Sequence, residues 1–272
     1  EWKKRAHQRA VTTSGVNIAK AIKYPVTYGR FIGDKDLSLI SLKMIAALEK
    51  HYGTPIGAFA CSPHLASNKG VCAVDVESAV EMMESLVEVI RETRDYHAVD
   101  LLEKIAFNLV PGACFEDCSA VQDTVFVNQV EASASRKLPY SDAVGSFFTK
   151  KASRGAIAAL SAYPIYMQAA CMTCDNELNF LTYTPCIMDI AVGGAILTIA
   201  ERTGYPFRNT VVFKVEQATV DTEVKINFRV PGGTMMQLIS GGQVVASGTK
   251  EISVKCILKT GSTFMLKMNI PL

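Results

Sequence analysis

Cys171-Met-Thr-Cys-Asp175 and Cys72 are the residues best equipped for chemistry in this chain. A thiolate is a strong nucleophile, and a C-x-x-C spacing can hold Zn²⁺. Cys72 precedes a predicted helix, where the helix dipole favours a thiolate. Acids lie close to both places: Asp75 and Glu77 just past Cys72, Asp175 and Glu177 just past Cys174. The plain alternative is a set of buried reduced thiols, a helix cap and solvated acidic faces. Cys114 and Cys118 flank Phe115-Glu-Asp117, a C-x3-C pair that can oxidise or simply bracket a loop.

These residues need elements to hold them. Leu37, Ile40, Met44, Ala47 and Leu48 recur at helical spacing, with Gly53 as a stop. Val80, Met83, Leu86, Val87 and Ile90 repeat the pattern over 76–94, with Asp75 as N-cap. A third helix spans 96–109, with Val99, Leu102, Ile105, Ala106 and Leu109 inward, and Pro111-Gly112 ends it. A shorter helix is expected over 11–23, and others within 141–172. After about residue 180 the period becomes two. Val224, Ile226, Phe228 and Val230 alternate with Lys225, Asn227 and Arg229. Ile252, Val254, Cys256 and Leu258 form a second set; Phe264, Leu266, Met268 and Ile270 form a third. Lys259-Thr-Gly-Ser262 reads as the hairpin turn between those two. More strands are expected over 195–200 and 211–215. The expected organisation is a helical segment, 1–180, followed by an antiparallel β-sandwich, 181–272.

The 272 residues are 49% hydrophobic and 20% charged, enough for two domains with sizeable cores. A net charge of +2 excludes a strongly basic nucleic-acid or membrane surface. The longest apolar run is broken by Pro164, so no membrane span is expected. The chain opens on Glu1 with no visible signal peptide, and we read it as a fragment of a longer protein. A homo-oligomer is compatible with the sequence.

Several short motifs occur in a telling order. They are Gly57-Ala-Phe-Ala-Cys-Ser-Pro-His-Leu65, Val71-Cys-Ala-Val74, Leu102-Glu-Lys-Ile-Ala-Phe-Asn108, Asn128-Gln-Val130, Thr203-Gly-Tyr-Pro-Phe207 and Phe228-Arg-Val-Pro-Gly232. Together with Ser14-Gly-Val-Asn17, this series resembles glycoside hydrolase family 127, the β-L-arabinofuranosidase-like proteins. The resemblance covers most of the chain. It implies part of an (α/α)6 toroid of helical hairpins followed by a β-sandwich. At typical helix lengths the helical segment holds about half of a toroid.

The resemblance also implies a retaining glycosidase with a Zn-bound cysteine nucleophile. On that pattern Cys171 is the nucleophile, Cys72, Cys171 and Cys174 are the metal ligands, and Met172 replaces an adjacent cysteine. A rival alignment on Ala162-Tyr163-Pro164 places Ile165 and Tyr166 at the cysteines and leaves no nucleophile. Pro63 occupies the place of the acid/base glutamate, and Gly70 that of the metal-binding glutamate. Ser14 and Val121 stand where the family has histidines. Asn17, His64, Asn128 and Gln129 are retained as candidate sugar contacts. Three readings follow: a glycosidase of furanosides or related sugars; a carbohydrate-binding or structural relative that lacks the acid/base; and a hydrolase with relocated carboxylates and no metal.

Overall fold

The computed structural model describes residues 13–61, 64–65, 72–128, 148–149 and 153–269. The chain divides into two compact units, residues 1–166 and 167–272. The first is built mainly of helices. Helix α1 (Gly15–Ile32) is capped by Ser14, whose side chain accepts from the Asn17 N–H, and stops at Gly33 in the left-handed region. It runs well past the expected 11–23. Helix α2 (Asp36–Tyr52) follows, then strand β1 (Ala73–Asp75) and helix α3 (Val76–Thr93), with Asp75 as its N-cap as expected.

Helix α4 (Tyr96–Lys104) continues through a π-turn (Ile105–Leu109) into a last helical turn, α5 (Val110–Ala113). Pro111 therefore does not end the helix. The helical path runs on past it to Ala113. Short strands β2 (Val121–Gln122), β3 (Thr124–Phe126) and β4 (Phe148–Thr149) precede helix α6 (Arg154–Met167).

Every inward position expected for α3 and for 96–109 is buried, as are Ile18, Ile22 and Val26 of α1. Each such side chain contributes about 1.5–3 kcal/mol of burial. Two buried hydroxyls fix the packing. Ser85 on α3 donates to the Ala19 carbonyl of α1, and Ser41 on α2 donates to the Ile22 carbonyl, both at 2.6 Å. Outside the core, Lys20 pairs with Glu81, Lys23 with Glu84, and Arg30 with Glu88 and Glu92. The rising numbers on both helices show that α1 and α3 run parallel. The described helices do not by themselves close a ring. Among the described residues no helix is long and apolar enough to cross a membrane.

The second unit is a sandwich. Strands β5 (Cys171–Cys174), β6 (Glu177–Phe180), β10 (Thr222–Arg229) and β13 (Glu251–Leu258) form a four-stranded sheet in the order β13-β10-β6-β5. The other sheet has six strands in the order β12-β11-β14-β9-β8-β7. They are β7 (Cys186–Val192), β8 (Ala195–Thr203), β9 (Thr210–Ala218), β11 (Met235–Ser240), β12 (Gln243–Gly248) and β14 (Thr263–Asn269). The division falls at Met167 rather than at 180, because β5 and β6 belong to this unit. The turn at Lys259-Thr-Gly-Ser262 forms, but it joins no hairpin. It carries the chain from β13 in one sheet to β14 in the other.

Between the sheets lies an apolar core containing Phe180, Phe213 and Phe228, whose ring centroids are 4.6–5.5 Å apart. Asn227 and Arg229, expected outward, are buried. Asn227 donates to Glu177 and Asn179 and accepts from Ser253, and Arg229 donates to the Leu181 carbonyl at 2.9 Å. Truncation of Phe213 to alanine opens a cavity among three aromatic rings. It is expected to lower the stability of the sandwich by about 3–5 kcal/mol, read from denaturant unfolding of the full chain.

Glu201 sits opposite Cys186 on β7 and Phe213 on β9. It is 2% exposed. One oxygen accepts the Thr184 N–H at 2.9 Å; the other has no hydrogen-bond partner among the described residues. Burial pushes its carboxyl up from 4.5 to about 8. The folded chain thus holds a proton that the unfolded chain releases above pH 4.5, so stability falls as pH rises from about 4.5 to about 8. Melting temperatures across that range should decline in the wild type and decline less in Glu201→Gln.

Candidate functional site

In the helical unit, three helices begin around one cavity of about 600 Å³. Ser14, Val16, Asn17 and Lys20 come from the start of α1, Asp75 and Glu77 from that of α3, and Arg154 and Gly155 from that of α6. Asp123, between β2 and β3, completes the lining.

Short polar bonds hold the three starts. Asp75 accepts from the Ser78 N–H at 2.8 Å and from its hydroxyl at 2.6 Å. Ser153 accepts the Ala156 N–H and donates its own proton to Asp123 at 2.6 Å, which ties α6 to the β2–β3 turn. Val76 donates its N–H to the Asp123 carbonyl at 3.0 Å, which ties α3 to the same turn.

Two glycines permit these approaches. A Cβ on Gly15 would lie 2.5 Å from the Cys61 sulfur, and one on Gly155 would lie 2.5 Å from an Asp123 oxygen. The Gly15 of the Ser14-Gly-Val-Asn17 motif is therefore a packing requirement.

Electrostatically the cavity is near balance. Each helix start supplies about half a positive charge. Lys20 and Arg154 add to this, while Asp75, Glu77 and Asp123 oppose it. Lys20 is also paired with Glu81 at 3.3 Å. Burial raises the Asp75 carboxyl above its usual value; the Ser78 bonds pull the other way, and the Asp123 charge adds to the rise. Glu77 is raised by burial and by Asp75, against Arg154 and Lys20. The wall offers hydroxyl, amide, ammonium, guanidinium and carboxylate groups.

The residues singled out from sequence fall in several places. Asn17 lines the cavity, and its amide donates to Thr13 at 3.0 Å. His64 is exposed, and its backbone bridges to Ser14 at the cap of α1. Asn128 is exposed, with φ of 61°, in the turn after β3. Gln129, Pro63 and Gly70 lie outside the described residues. Lys20, Asp123, Arg154 and Gly155 were not singled out. Their signal was the helix-capping pattern of Ser153 ahead of Ala156, which a search for cysteine ligands passes over.

Of the expected metal cysteines, Cys72 stands ahead of β1 and Cys171 and Cys174 stand on β5. Cys72 is 6% exposed, and its carbonyl accepts the Val127 N–H. Strand β1 separates it from α3, so the positive helix end lies at Asp75 and not at the thiol. Burial raises the Cys72 thiol, the opposite of activation. Cys171 and Cys174 lie on strand β5. Three residues apart on a strand, their side chains point to opposite faces. Cys171 packs on the sandwich core and is pushed up to about 12 by burial, while Cys174 is exposed. A C-x-x-C chelate needs both sulfurs on one side, so this pair does not fit Zn²⁺. Among the described residues no group of three or more His, Cys, Asp or Glu side chains is placed to hold a metal ion. Ala162-Tyr163-Pro164, the anchor of the rival alignment, lies inside α6.

No protein-family model matches the chain, and no curated protein matches it by sequence. Solved structures do match by fold. A GH127 β-L-arabinofuranosidase from Geobacillus stearothermophilus superposes with a TM-score of 0.74 at 14% identity, over 98% of this chain and 44% of that one. A second GH127 β-arabinofuranosidase gives 0.71 at 14% identity, over 97% and 44%. A further glycoside hydrolase gives 0.78 at 16% identity, over 98% and 48%. The chain thus spans less than half the length of each of these proteins. The resemblance read from the motifs is met in the fold: this α-plus-β chain is built like part of a GH127 glycoside hydrolase, far diverged in sequence.

Proposed function

We propose that this chain is a carbohydrate-recognising relative of the glycoside hydrolases that holds a neutral, polyhydroxylated ligand in the cavity among α1, α3 and α6. The observation that carries the reading is the lining itself. Sugar hydroxyls both donate and accept. A wall that offers both donors and acceptors, near charge balance, suits them and disfavours strongly charged ligands. A volume of about 600 Å³ is within the usual range for small-molecule sites. The fold supports the same class of ligand, since the structures it resembles are glycoside hydrolases.

The cysteine chemistry of the family is not part of this proposal. A buried thiol held protonated on one face of a strand and an exposed thiol on the other do not make a zinc-bound nucleophile. Proline and glycine at the two glutamate positions point the same way: neither side chain can bind a metal or exchange a proton.

Titration calorimetry against a panel of neutral pentoses, hexoses and methyl arabinofuranosides tests the ligand. Binding is expected, and Arg154→Ala or Asp123→Asn should weaken it about tenfold or more, the cost of one hydrogen bond to a charged group. A panel that does not bind, or that binds the variants equally well, overturns the reading. The metal is tested separately. The protein loaded with excess zinc and desalted should retain less than one equivalent, with no change in Cys171→Ser or Cys174→Ser. A full equivalent lost in either variant restores the zinc-thiolate reading, and turnover of an activated aryl glycoside that disappears in Cys171→Ser makes it catalytic.

A further inference from the structure

Cys114 and Cys118 take no part in the cavity, yet the backbone places both in one short hairpin. Helix α5 ends at Cys114, which leaves the helix in an extended conformation and pairs antiparallel with Val121. The next residue, Phe115, donates its N–H to the Ala120 carbonyl at 3.0 Å. Within this small hairpin, Cys118 donates its N–H to the Phe115 carbonyl at 2.8 Å, closing a four-residue turn over 115–118. The turn holds Phe115 and Cys118 within about 7 Å, and Cys114 is the residue just before it. Cys118 lies in the left-handed region, with φ of 56°, and reverses the chain toward Cys114. Ser119 fixes the reversal by donating its N–H to the Asp117 side chain at 2.9 Å.

The two thiols differ in access. Cys118 is exposed and Cys114 is half-buried; both are reduced. Each is close enough to act on its neighbours electrically. Burial raises the Cys114 thiol and the charge on Cys118 adds to the rise; burial likewise raises the Tyr163 hydroxyl on α6, with both thiols adding to it. The pair is thus an accessible sulfur and a sheltered one at the two sides of one tight turn.

We propose that Cys114 and Cys118 form a reversible intramolecular disulfide, a modification site on the helical unit. With a low-molecular-weight disulfide as oxidant, the Cys118 thiolate attacks one oxidant sulfur and expels one thiolate, giving a mixed disulfide. The Cys114 sulfur then attacks the Cys118 sulfur and expels the second thiolate. The two cysteines lose two protons and two electrons, and the oxidant is reduced to two thiols. The ring that closes spans only the 114–118 loop.

The consequence for the fold is local. The hairpin leads through Val121 and Gln122 directly into Asp123, and α6 carries both Tyr163 and the cavity residues Arg154 and Gly155. A closed ring pins the strand that delivers Asp123. The proposal does not depend on the ligand assigned to the cavity.

The test is peptide mass mapping of the full chain equilibrated with glutathione disulfide. Cys174, exposed and on the opposite face of its strand from Cys171, serves as the internal comparator, because it can take up glutathione but has no partner sulfur on its own face. The expected result is a glutathione adduct on Cys174 and, on the 114–118 peptide, loss of two hydrogens that dithiothreitol reverses. Cys114→Ser should convert the second product into a glutathione adduct on Cys118. A wild-type chain that accumulates the adduct on Cys118 with Cys114 still free, or that leaves both free while Cys174 reacts, overturns the proposal.

Discussion

The helical unit depends on one arrangement of short polar bonds, the bonds of Asp75 and Asp123 to serines and backbone at the starts of α3 and α6. A helix start leaves N–H groups unsatisfied and carries a partial positive charge, so three of them do not gather without something to offset both. Asp75 offsets one by capping α3. Asp123 offsets another through Ser153 and binds α3 through its carbonyl. The two carboxylates are therefore structural before they are anything else. That explains the concentration of acids in this unit without requiring acid/base chemistry. The cavity is what remains when the starts are held together but their side chains cannot meet.

Much of this was legible in the sequence, and the parts that were not share a cause. Apolar spacing of three and four placed the cores of α3 and α4, while in α2 it found Ile40 and Leu48 but missed Ile45; Asp75 announced itself as a cap by standing ahead of an apolar run. Alternation placed β10, β13 and β14. Spacing reports which face of an element is buried, not what lies across from it. The turn at residues 259–262 was visible, but whether it joined neighbours in one sheet or crossed between two was not. The burial of Asn227 and Arg229 was likewise hidden, because their partners, Glu177, Asn179 and Leu181, are about fifty residues away in the chain.

The cysteine motif shows the same limit from the side of chemistry. A C-x-x-C spacing serves a metal when the chain turns between the two residues, as it does in a helix or a tight loop. On β5 the same four letters are extended, and the sulfurs part to opposite faces. The motif resemblance is met in the α-plus-β fold, while the C-x-x-C spacing does not by itself make a chelate on β5. Side chains that pack, such as Gly15, are constrained by neighbours throughout the unit, whereas a metal shell is lost when any one ligand changes or faces the wrong way.

The parallel pairing of β6 with β10 has its own consequence for how this chain can be divided. Those strands are far apart in sequence, and β6 lies between β5 and β10 in the sheet. A piece beginning at residue 181 would keep β10 and β13 but lose the two strands that complete their layer. It would bare a row of unpaired N–H and C=O groups along β10, together with one flank of the aromatic core. A naked edge of that kind is a template for other chains, so such a piece would invite self-association along β10.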